Sequence, residues 1–342
     1  MADRGDELAA SIRDAAESGQ RLVVRGSGSK PWLTATCEGE VLSVAGHTGV
    51  MDYRPEELVL TARAGTALDE IEAVLAENGQ HLAFEPPRIG GGGTLGGAVA
   101  AGLSGPGRPW RGSVRDAVLG VTMINGYGEM LAFGGQVMKN VAGYDVSRLQ
   151  AGAYGTLGVL LSVSVRVQPS PECERTLHFE QDAPEALATM RDWARLPWPV
   201  SATLHERQTL SVRLSGSHAG VAGAVAELGG ECSDDLSLWD QLRDRGHRLF
   251  GGPVLWRASY PPAAPLQGDE CAMEWGGAQR WYRSDVSEHV RAQRGWMRRA
   301  DAPGQLPGGT YSARIKKAFD PQGVLNASLN AHTGDGEASD AH

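Results

Sequence analysis

The feature that most limits how this chain can fold is a glycine-rich stretch in its first third. Residues 90–112 hold ten glycines, with the small run Ala98–Ala101 lying among them. Because glycine has no Cβ, it permits close contact between the backbone and a neighbouring group, at a cost in chain entropy. The stretch therefore predicts a segment whose backbone approaches something closely. The glycines are at positions 90, 91, 92, 93, 96, 97, 102, 105, 107 and 112.

Part of this stretch matches the dinucleotide-binding pattern G-x-G-x-x-G. Gly91, Gly93 and Gly96 have the required spacing, and Asp116 follows the last of them by twenty residues. The pattern binds a dinucleotide where a strand leads directly into it and a helix opens at its third glycine. Here Pro-Pro-Arg at positions 86–88 precedes the glycines, so the match does not indicate a Rossmann-type NAD site.

A second glycine loop follows the first predicted strand. Residues 21–25 have the pattern of a strand and run into Gly-Ser-Gly-Ser-Lys at positions 26–30. Consecutive backbone N–H groups in such a loop can converge on phosphate oxygens. The loop lacks the G-K-[ST] ending of a P-loop, and taken alone it is equally compatible with an ordinary glycine turn.

Length and charge restrict the possible functions. At 342 residues the chain is long enough for two packed lobes. Its net charge of -9 and its pI near 5.5 give no basic footprint for a nucleic-acid backbone.

The acidic, helix-like first twenty residues do not resemble a signal peptide. No run approaches the roughly 20 apolar residues needed to span a bilayer, and a cytoplasmic location is therefore expected.

The cysteines favour reduced thiols over a disulfide framework or an iron–sulfur site. Their positions give no C-x-x-C spacing, so any iron–sulfur cluster is expected on another chain. The four are Cys37, Cys173, Cys232 and Cys271.

Hydrophobic periodicity predicts alternating strands and helices in the first lobe and mostly strands after Val114. A helix is expected over residues 5–19, and a second one places the apolar residues between 68 and 75 on one face. Alternation over Val159–Gln168 predicts a strand with one buried and one wet face. Further strands are expected over residues 21–25, 40–44, 58–62, 81–84, 117–124 and 130–133.

Composition marks a boundary near residue 170. Pro169-Ser170-Pro171 interrupts the last predicted strand. Beyond it, tryptophan, arginine and proline become frequent among alternating helix-like and strand-like segments, as in an α+β domain. We expect a first domain over residues 1–170, an α+β cap over 171–310, a C-terminal segment over 311–330 and a disordered tail over 331–342.

Five motifs occur in a fixed order in the first half of the chain: RGSGSK, TARAGTAL, GGTLGGAVAAGLSG, GSVRDAVLGVTMINGYGE and GAYGTLGVLLSVSVRVQP. This succession resembles the PCMH-type FAD-binding domain shared by vanillyl-alcohol oxidase, D-lactate dehydrogenase and glycolate oxidase. EPPRIGGGGTLGGAVAAGLSGPGRPWRGSVRDAVLG and FGGQVMKNVAGYDVSRLQAGAYGTLGVL resemble more narrowly the FAD-binding subunit of glycolate oxidase. The similarity spans residues 21–170 and returns at FDPQGVLN. It implies an α+β fold, with a two-sublobe FAD-binding domain, the cap and a C-terminal segment that returns to the FAD domain.

The resemblance also implies which residues hold FAD. The pyrophosphate would rest on residues 26–30, approached by Gly65 and by the loop 92–97, where Thr94 offers a hydroxyl. Residues 112–116 would lie near the adenosine half or the ribityl chain, and the backbone at 158–159 would meet the flavin. The implied set is Gly26, Ser27, Gly28, Ser29, Lys30, Gly65, Gly92, Gly93, Thr94, Gly96, Gly97, Gly112, Ser113, Asp116, Gly158 and Val159.

Some candidate residues have a purely structural alternative. Asp116 could pair with Arg115 or Arg111 on a surface. A further loop is expected near the flavin, although its polar residues would serve equally well as ordinary loop hydrogen-bonding groups. These residues are Lys139, Asn140, Tyr144 and Asp145.

Departures from the family pattern bear on the chemistry. Relatives that attach FAD through histidine often carry it just after the phosphate-loop glycines, where this chain has Ser29 and Lys30, so non-covalent FAD is expected. The larger catalytic relatives share G-S-E-G-T-L-G, whereas Tyr154 stands here at the position of the acid. Those relatives also bind a metal through closely spaced cap histidines, and the nine histidines here include no such pair. No metal site is expected.

These features lead to one leading hypothesis and two alternatives. The chain is expected to be the FAD-binding subunit of a glycolate oxidase that converts glycolate to glyoxylate. A catalytic flavoprotein subunit and an iron–sulfur subunit are its expected partners, and these could hold it at the inner face of the membrane. The alternatives are an autonomous FAD-dependent 2-hydroxy-acid dehydrogenase and a flavin-less assembly scaffold. The cap arginines Arg257, Arg280 and Arg283 could hold a carboxylate but are more typical of solvated charges.

Overall fold

A computed structural model describes residues 2–135, 145–261, 263–304 and 309–329. Within these ranges the chain forms two lobes, each built on one large antiparallel sheet. The predictions for Lys139, Asn140, Tyr144 and the tail after residue 330 lie outside the described residues.

The first lobe combines a parallel pair of strands with a five-stranded antiparallel sheet. Its helices and strands, numbered in chain order, are α1 (Gly5–Ser18), β1 (Leu22–Arg25), β2 (Glu40–Ser43), β3 (Val50–Arg54), β4 (Val59–Arg63), α2 (Leu68–Ala76), β5 (Gln80–His81), α3 (Leu95–Ala101), α4 (Arg108–Arg111), α5 (Val114–Ala117), β6 (Val118–Ile124), β7 (Met130–Gly134), α6 (Val146–Leu149), β8 (Val159–Arg166) and β9 (Gln168–Pro169). The large sheet has the order β3-β4-β8-β6-β7, while β1 pairs with β2 and β5 with β9.

Most predicted elements of this lobe are present, with one exception. The strand predicted over residues 81–84 is wrong beyond His81, because the chain turns there and the Glu85 N–H donates to the Leu82 carbonyl over 3.0 Å. Strand β3 was not predicted. It is an edge strand in which no residue is fully buried, so it lacks the apolar alternation on which the prediction depends.

Strand β8 is covered more completely than its alternation predicts. Leu160 and Ser164, which were expected to be wet, are only 7% and 8% exposed. The reason is its position, since β8 lies between β4 and β6 and α3 packs against it.

The second lobe is an eight-stranded antiparallel sheet with helices packed against it, which confirms an α+β cap. Its elements are β10 (Cys173–Glu180), α7 (Ala183–Trp193), β11 (Val200–Glu206), β12 (Thr209–Gly216), α8 (His218–Leu228), β13 (Glu231–Ser233), α9 (Ser237–Arg243), β14 (Trp256–Ser259), β15 (Ala272–Glu274), β16 (Gln279–Tyr282), α10 (Ser287–Ala292) and β17 (Trp296–Arg299). The strand order is β13-β10-β12-β11-β15-β16-β14-β17. Helices α7 and α8 bury their apolar faces against the sheet.

A buried ion cluster joins the two lobes. Glu85 of the first lobe contacts Arg213 of β12 at 2.5 Å and Arg111 of α4 at 3.1 Å, and Arg111 also reaches Glu174 of β10 at 2.8 Å. Loss of one member would leave a buried charge unpaired, at a cost of several kcal/mol. The cluster therefore fixes the cap against the first lobe.

The C-terminal segment packs against the first lobe. It contains helix α11 (Thr310–Phe319), and Leu325 forms a parallel bridge to Leu22 of β1. The Asn326 side chain accepts a hydrogen bond from the Val24 N–H over 2.9 Å and donates one to the Tyr154 carbonyl over 2.6 Å. The segment thereby holds β1 and the loop before β8 in place.

Candidate functional site

A cleft opens in the first lobe where β1 ends and α3 begins. Its empty volume is about 920 Å³, which includes open solvent at its mouth. The cleft is lined mostly by backbone and small side chains, so a flat or extended ligand can lie close to the chain. Nine of the sixteen predicted residues line it, namely Gly26, Ser27, Gly28, Ser29, Lys30, Thr94, Gly96, Gly97 and Gly158.

The loop 26–30 forms one wall of the cleft. It follows β1 directly, and Gly28 has a φ of +75°, in the left-handed region that favours glycine. The Lys30 Nζ donates to the Pro87 carbonyl over 3.1 Å, which ties the end of this loop to the segment that precedes the glycine-rich stretch. The predicted anion cradle thus has the strand-to-loop geometry that the sequence indicated.

Thr94 connects this loop to the opposite wall. It is the N-cap of α3, and its Oγ1 accepts a hydrogen bond from the Gly97 N–H over 3.2 Å. A Cβ on Gly26 would lie 2.7 Å from the Thr94 Oγ1, and one on Gly97 would lie 2.9 Å from it. A side chain at either position would have to displace the Thr94 hydroxyl. The arrangement suits the phosphates of a nucleotide.

A residue of the cleft lining carries a buried donor without a partner among the described residues. The Gln150 side chain is 2% exposed, and among the described residues its Nε2 has no hydrogen-bond partner. Gln150 also lines the cleft. Because a buried amide without a partner is costly, this donor fits a cofactor carbonyl or phosphate oxygen. Together with the glycine cradle, it indicates that the cleft fits a dinucleotide such as FAD.

The other predicted residues lie outside the cleft lining. Among the glycines, a Cβ on Gly65 would collide with the Val44 carbonyl, one on Gly93 would lie 2.7 Å from Leu68 Cδ1, and Gly92 faces open space. Val159 is fully buried in β8. Their role in FAD binding therefore remains a prediction.

Gly112, Ser113 and Asp116 form the start of helix α5. Gly112 has a φ of +91°. The Asp116 Oδ2 accepts hydrogen bonds from the Ser113 backbone N–H at 2.8 Å and from its hydroxyl at 2.7 Å. These bonds lower the pKa of Asp116. Asp116 thus caps a helix rather than pairing with Arg115 or Arg111, and its contact with FAD stays a prediction.

Even within the cleft, two glycines are explained by packing of the protein on itself. A Cβ on Gly96 would lie 2.6 Å from the Ala64 Cβ, and one on Gly158 would collide with the Met123 side chain.

Asp145 was predicted in a loop near the flavin. It caps the short helix α6, where its Oδ1 accepts a hydrogen bond from the Arg148 N–H over 3.0 Å.

Tyr154 is a cleft residue whose place the sequence did not reveal. Its backbone has a φ of +52°, and its carbonyl is held by Asn326. Tyr154 lines the cleft, and its hydroxyl accepts a hydrogen bond from the Arg298 Nη1 over 3.4 Å. The available signal was the departure from G-S-E-G-T-L-G. Tyr154 therefore links the cleft to the cap.

The expectation that the cap arginines are solvated is correct only for Arg283, which is exposed. Arg280 is fully buried and pairs with Glu270 over 3.3 Å. Arg257 lines a cavity and is only partly exposed. Burial, together with the nearby charges of Arg298 and Arg245, lowers the pKa of Arg257 to about 10. The strand register of the sheet, which the sequence does not show, decides these positions.

Two of the cap histidines have structural contacts. His205 lies with its Nε2 3.0 Å from the Gln181 carbonyl, and His247 accepts from the Leu249 N–H and lies 3.3 Å from Glu206. In the described ranges no group of three or more His, Cys, Asp or Glu side chains could hold a metal ion. No described helix is both long and apolar enough to cross a membrane.

Lys30 has an altered pKa at the cleft wall. Burial, reinforced by the charge of Arg245 and opposed by Asp244, lowers the pKa of Lys30 to about 8. A bound pyrophosphate would raise it again. Below pH 8 the amine is charged with or without the ligand, so its contribution to affinity is constant there. Above pH 8 binding must take up a proton.

FAD affinity is therefore expected to fall as pH rises above about 8, with Kd increasing by at most roughly tenfold per pH unit. Titration of the apoprotein with FAD between pH 7 and 9.5 measures this. Lys30→Met should flatten the profile, and Lys317→Met, which removes an exposed lysine, should keep it. A wild-type Kd that is constant across the range contradicts the contact.

The chain is similar to known flavoproteins. Residues 2–134 match a family model described as an FAD binding domain. Glycolate oxidase subunit GlcE of Escherichia coli (strain K12) is 41% identical over 338 residues, covering 95% of this chain and 96% of that protein. Glycolate oxidase subunit GlcD of Bacillus subtilis (strain 168) is 32% identical over 181 residues, covering 50% of this chain and 37% of that protein. A solved structure of alkyldihydroxyacetonephosphate synthase has the same fold, with a TM-score of 0.66 over 94% of this chain and 74% of that chain at 13% identity.

Proposed function

The chain belongs to the FAD-binding family of the glycolate oxidase subunit GlcE, and on this premise we propose that it is the FAD-binding subunit of a complex that oxidises glycolate to glyoxylate. The observation that carries the proposal is the cleft between loop 26–30 and Thr94, whose lining includes Gln150 with its buried donor unpartnered among the described residues. The glycine loops would hold the pyrophosphate, and Gln150 would donate to a polar oxygen of the cofactor. When bound, FAD would accept the electrons from the substrate.

The proposed division of labour assigns further chemistry to other chains. The similarity to GlcD covers about half of this chain, which supports a larger catalytic flavoprotein partner with a related domain. The four cysteines lie apart in the sequence as free thiols, which supports placing iron–sulfur clusters on another subunit. We propose that the complex is cytoplasmic or is held at the inner face of the membrane by those partners.

FAD is proposed to be held without a covalent bond. Neither histidine nor cysteine occurs among the residues that line the cleft in the described structure. Acid precipitation of the purified yellow protein should therefore release about one FAD per chain into the supernatant. Colour remaining in the washed pellet would show a covalent link. A chain purified colourless that also fails to take up added FAD would disprove the proposed function.

Gly28→Val is expected to weaken FAD binding at least tenfold, or roughly 1.4 kcal/mol. Gly28 lines the cleft at φ +75°, and a β-branched residue is strained there, so the loop must rearrange. Gly19→Val is the matched control, because Gly19 has a φ of +71° with open space around it at the end of α1. Flavin fluorescence titration measures both variants. Equal affinity in both would show that the loop is not the cradle.

An autonomous 2-hydroxy-acid dehydrogenase is the second candidate. The observation in its favour is the contact between Arg298 of the cap and Tyr154 of the cleft, because a cation at this point could hold a substrate carboxylate. The two candidates differ in whether the isolated chain oxidises glycolate.

A further inference from the structure

Three cap arginines lie together beside Tyr154. Arg257 of β14 and Arg298 of β17 are directly opposite each other in the sheet, and their guanidinium carbons lie 5.3 and 5.9 Å from the centre of the Trp296 ring. Arg245 stacks over Trp32 at 4.8 Å. Arg245 and Arg257 line one cavity, and Arg298 reaches the Tyr154 hydroxyl at the cleft.

These arginines repel each other without a close counter-ion. None of the three forms an ion pair within 4.0 Å in the part of the chain that the structure describes. The pKa of Arg245 falls to about 10 through burial and the charge of Arg298. Asp301, the nearest acid on the same segment, is instead paired with Arg299 at 2.8 Å.

Glu274 also lines the cavity, and one of its two carboxylate oxygens is already bonded. Its Oε2 accepts from the Trp281 Nε1 at 2.6 Å and from the Gln279 Nε2 at 2.9 Å. Burial raises the pKa of Glu274, whereas Arg257 acts in the opposite direction. One carboxyl group at the edge of the cavity therefore does not balance three arginines, to which the exposed Arg108 adds a fourth positive charge.

Elsewhere this chain pairs its buried arginines. Arg213 has Glu85 at 2.5 Å and Arg280 has Glu270 at 3.3 Å. Like charges directly opposite in a sheet destabilise it, and a buried charge without a partner is costly. Perturbed charges that line a cavity are typical of functional sites. The cluster therefore carries an excess of positive charge that a bound anion would offset.

We propose that Arg245, Arg257 and Arg298 form a binding site for a small carboxylate, with the Tyr154 hydroxyl at its edge. The planar guanidinium fork matches a carboxylate in a bidentate manner. Arg245 lies near the loop 26–30 that would hold the pyrophosphate, since its charge helps to lower the pKa of Lys30. The assignment to the 2-hydroxy acid or its 2-oxo product rests on the proposed function, because the cluster alone specifies only an anion.

Binding of oxalate to the FAD-loaded chain tests the proposal by calorimetry and by Tm. Oxalate should raise the Tm more than sulfate or chloride at equal ionic strength. Arg257→Gln and Arg298→Gln should each weaken oxalate binding at least tenfold and raise the Tm of the ligand-free protein, since each removes repulsion. A merely structural role would lower that Tm. Arg299→Gln is the matched control, because Arg299 is the exposed neighbour on β17, and it should bind oxalate as the wild type does.

The outcomes separate this proposal from the function on which it rests. An FAD-loaded chain that does not bind oxalate, that binds sulfate in preference, or whose Arg257→Gln variant binds oxalate unchanged overturns the carboxylate site and leaves FAD binding intact. A chain that takes up no FAD but binds oxalate through these arginines overturns the proposed function and retains the anion site.

Discussion

The isolated chain loaded with FAD is expected to oxidise glycolate roughly 10²- to 10⁴-fold more slowly than the assembled complex. Oxidation of a 2-hydroxy acid requires its carboxylate to be held while a base removes the hydroxyl proton, and a positioned base contributes a factor of this size. The arginines of the cap can hold the carboxylate. In the described structure, however, no histidine lines the cleft or the arginine cavity.

Anaerobic mixing with glycolate, followed by flavin absorbance and dye reduction, measures this difference. The matched samples are the isolated chain, the chain co-expressed with its catalytic and iron–sulfur partners, and the partners without it. Dye reduction should require the full complex, and bound FAD in the isolated chain should remain oxidised. Rapid bleaching of the isolated, metal-free chain would contradict the division of labour and establish the autonomous dehydrogenase.

Asp320→Ala is expected to lower the free energy of unfolding by about 3–5 kcal/mol. Asp320 is 2% exposed and forms an ion pair with the buried Lys316. It also accepts hydrogen bonds from the backbone N–H groups of Val324 at 3.0 Å and Leu325 at 2.9 Å. Removing the carboxylate leaves a buried ammonium without a counter-ion and two N–H groups without an acceptor.

Urea denaturation of the whole chain, followed by near-UV circular dichroism, measures the loss in the free energy of unfolding. Asp301→Ala is the matched control, because Asp301 forms an exposed ion pair with Arg299 that should contribute less than about 1 kcal/mol. Asp320→Asn should be intermediate, since it keeps an acceptor oxygen. A loss below about 1 kcal/mol for Asp320→Ala would show that the pair does not stabilise the fold.

The same substitution should also weaken FAD binding. The Lys316 Nζ donates to the Thr156 carbonyl over 2.6 Å, and the nearby Asn326 holds β1 and Tyr154. The C-terminal segment thus positions β1, which leads into loop 26–30, and the chain at Tyr154. FAD should consequently protect the wild type against urea more strongly than it protects the folded variant, because ligand stabilisation grows with affinity.

The sequence by itself determined the parts of the site that depend on local geometry. A short strand followed by Gly-Ser-Gly-Ser-Lys at 26–30 predicts a loop with exposed N–H groups, and the structure places all five residues at the cleft. Thr94 was identified through the family resemblance as a hydroxyl near the pyrophosphate, whereas its place as the N-cap of α3 was not predicted. The loop was predictable because neighbouring residues along the chain decide its conformation.

The tertiary structure decided why other residues are as they are. Gly65 and Gly96 were recognised as glycines that permit close approach, but the groups they approach are the Val44 carbonyl and Ala64. Arg257 looked like a solvated charge until pairing between β14 and β17 placed it opposite Arg298. Such contacts depend on strand register between distant segments, and a shift of one residue would turn these side chains to the other face of the sheet.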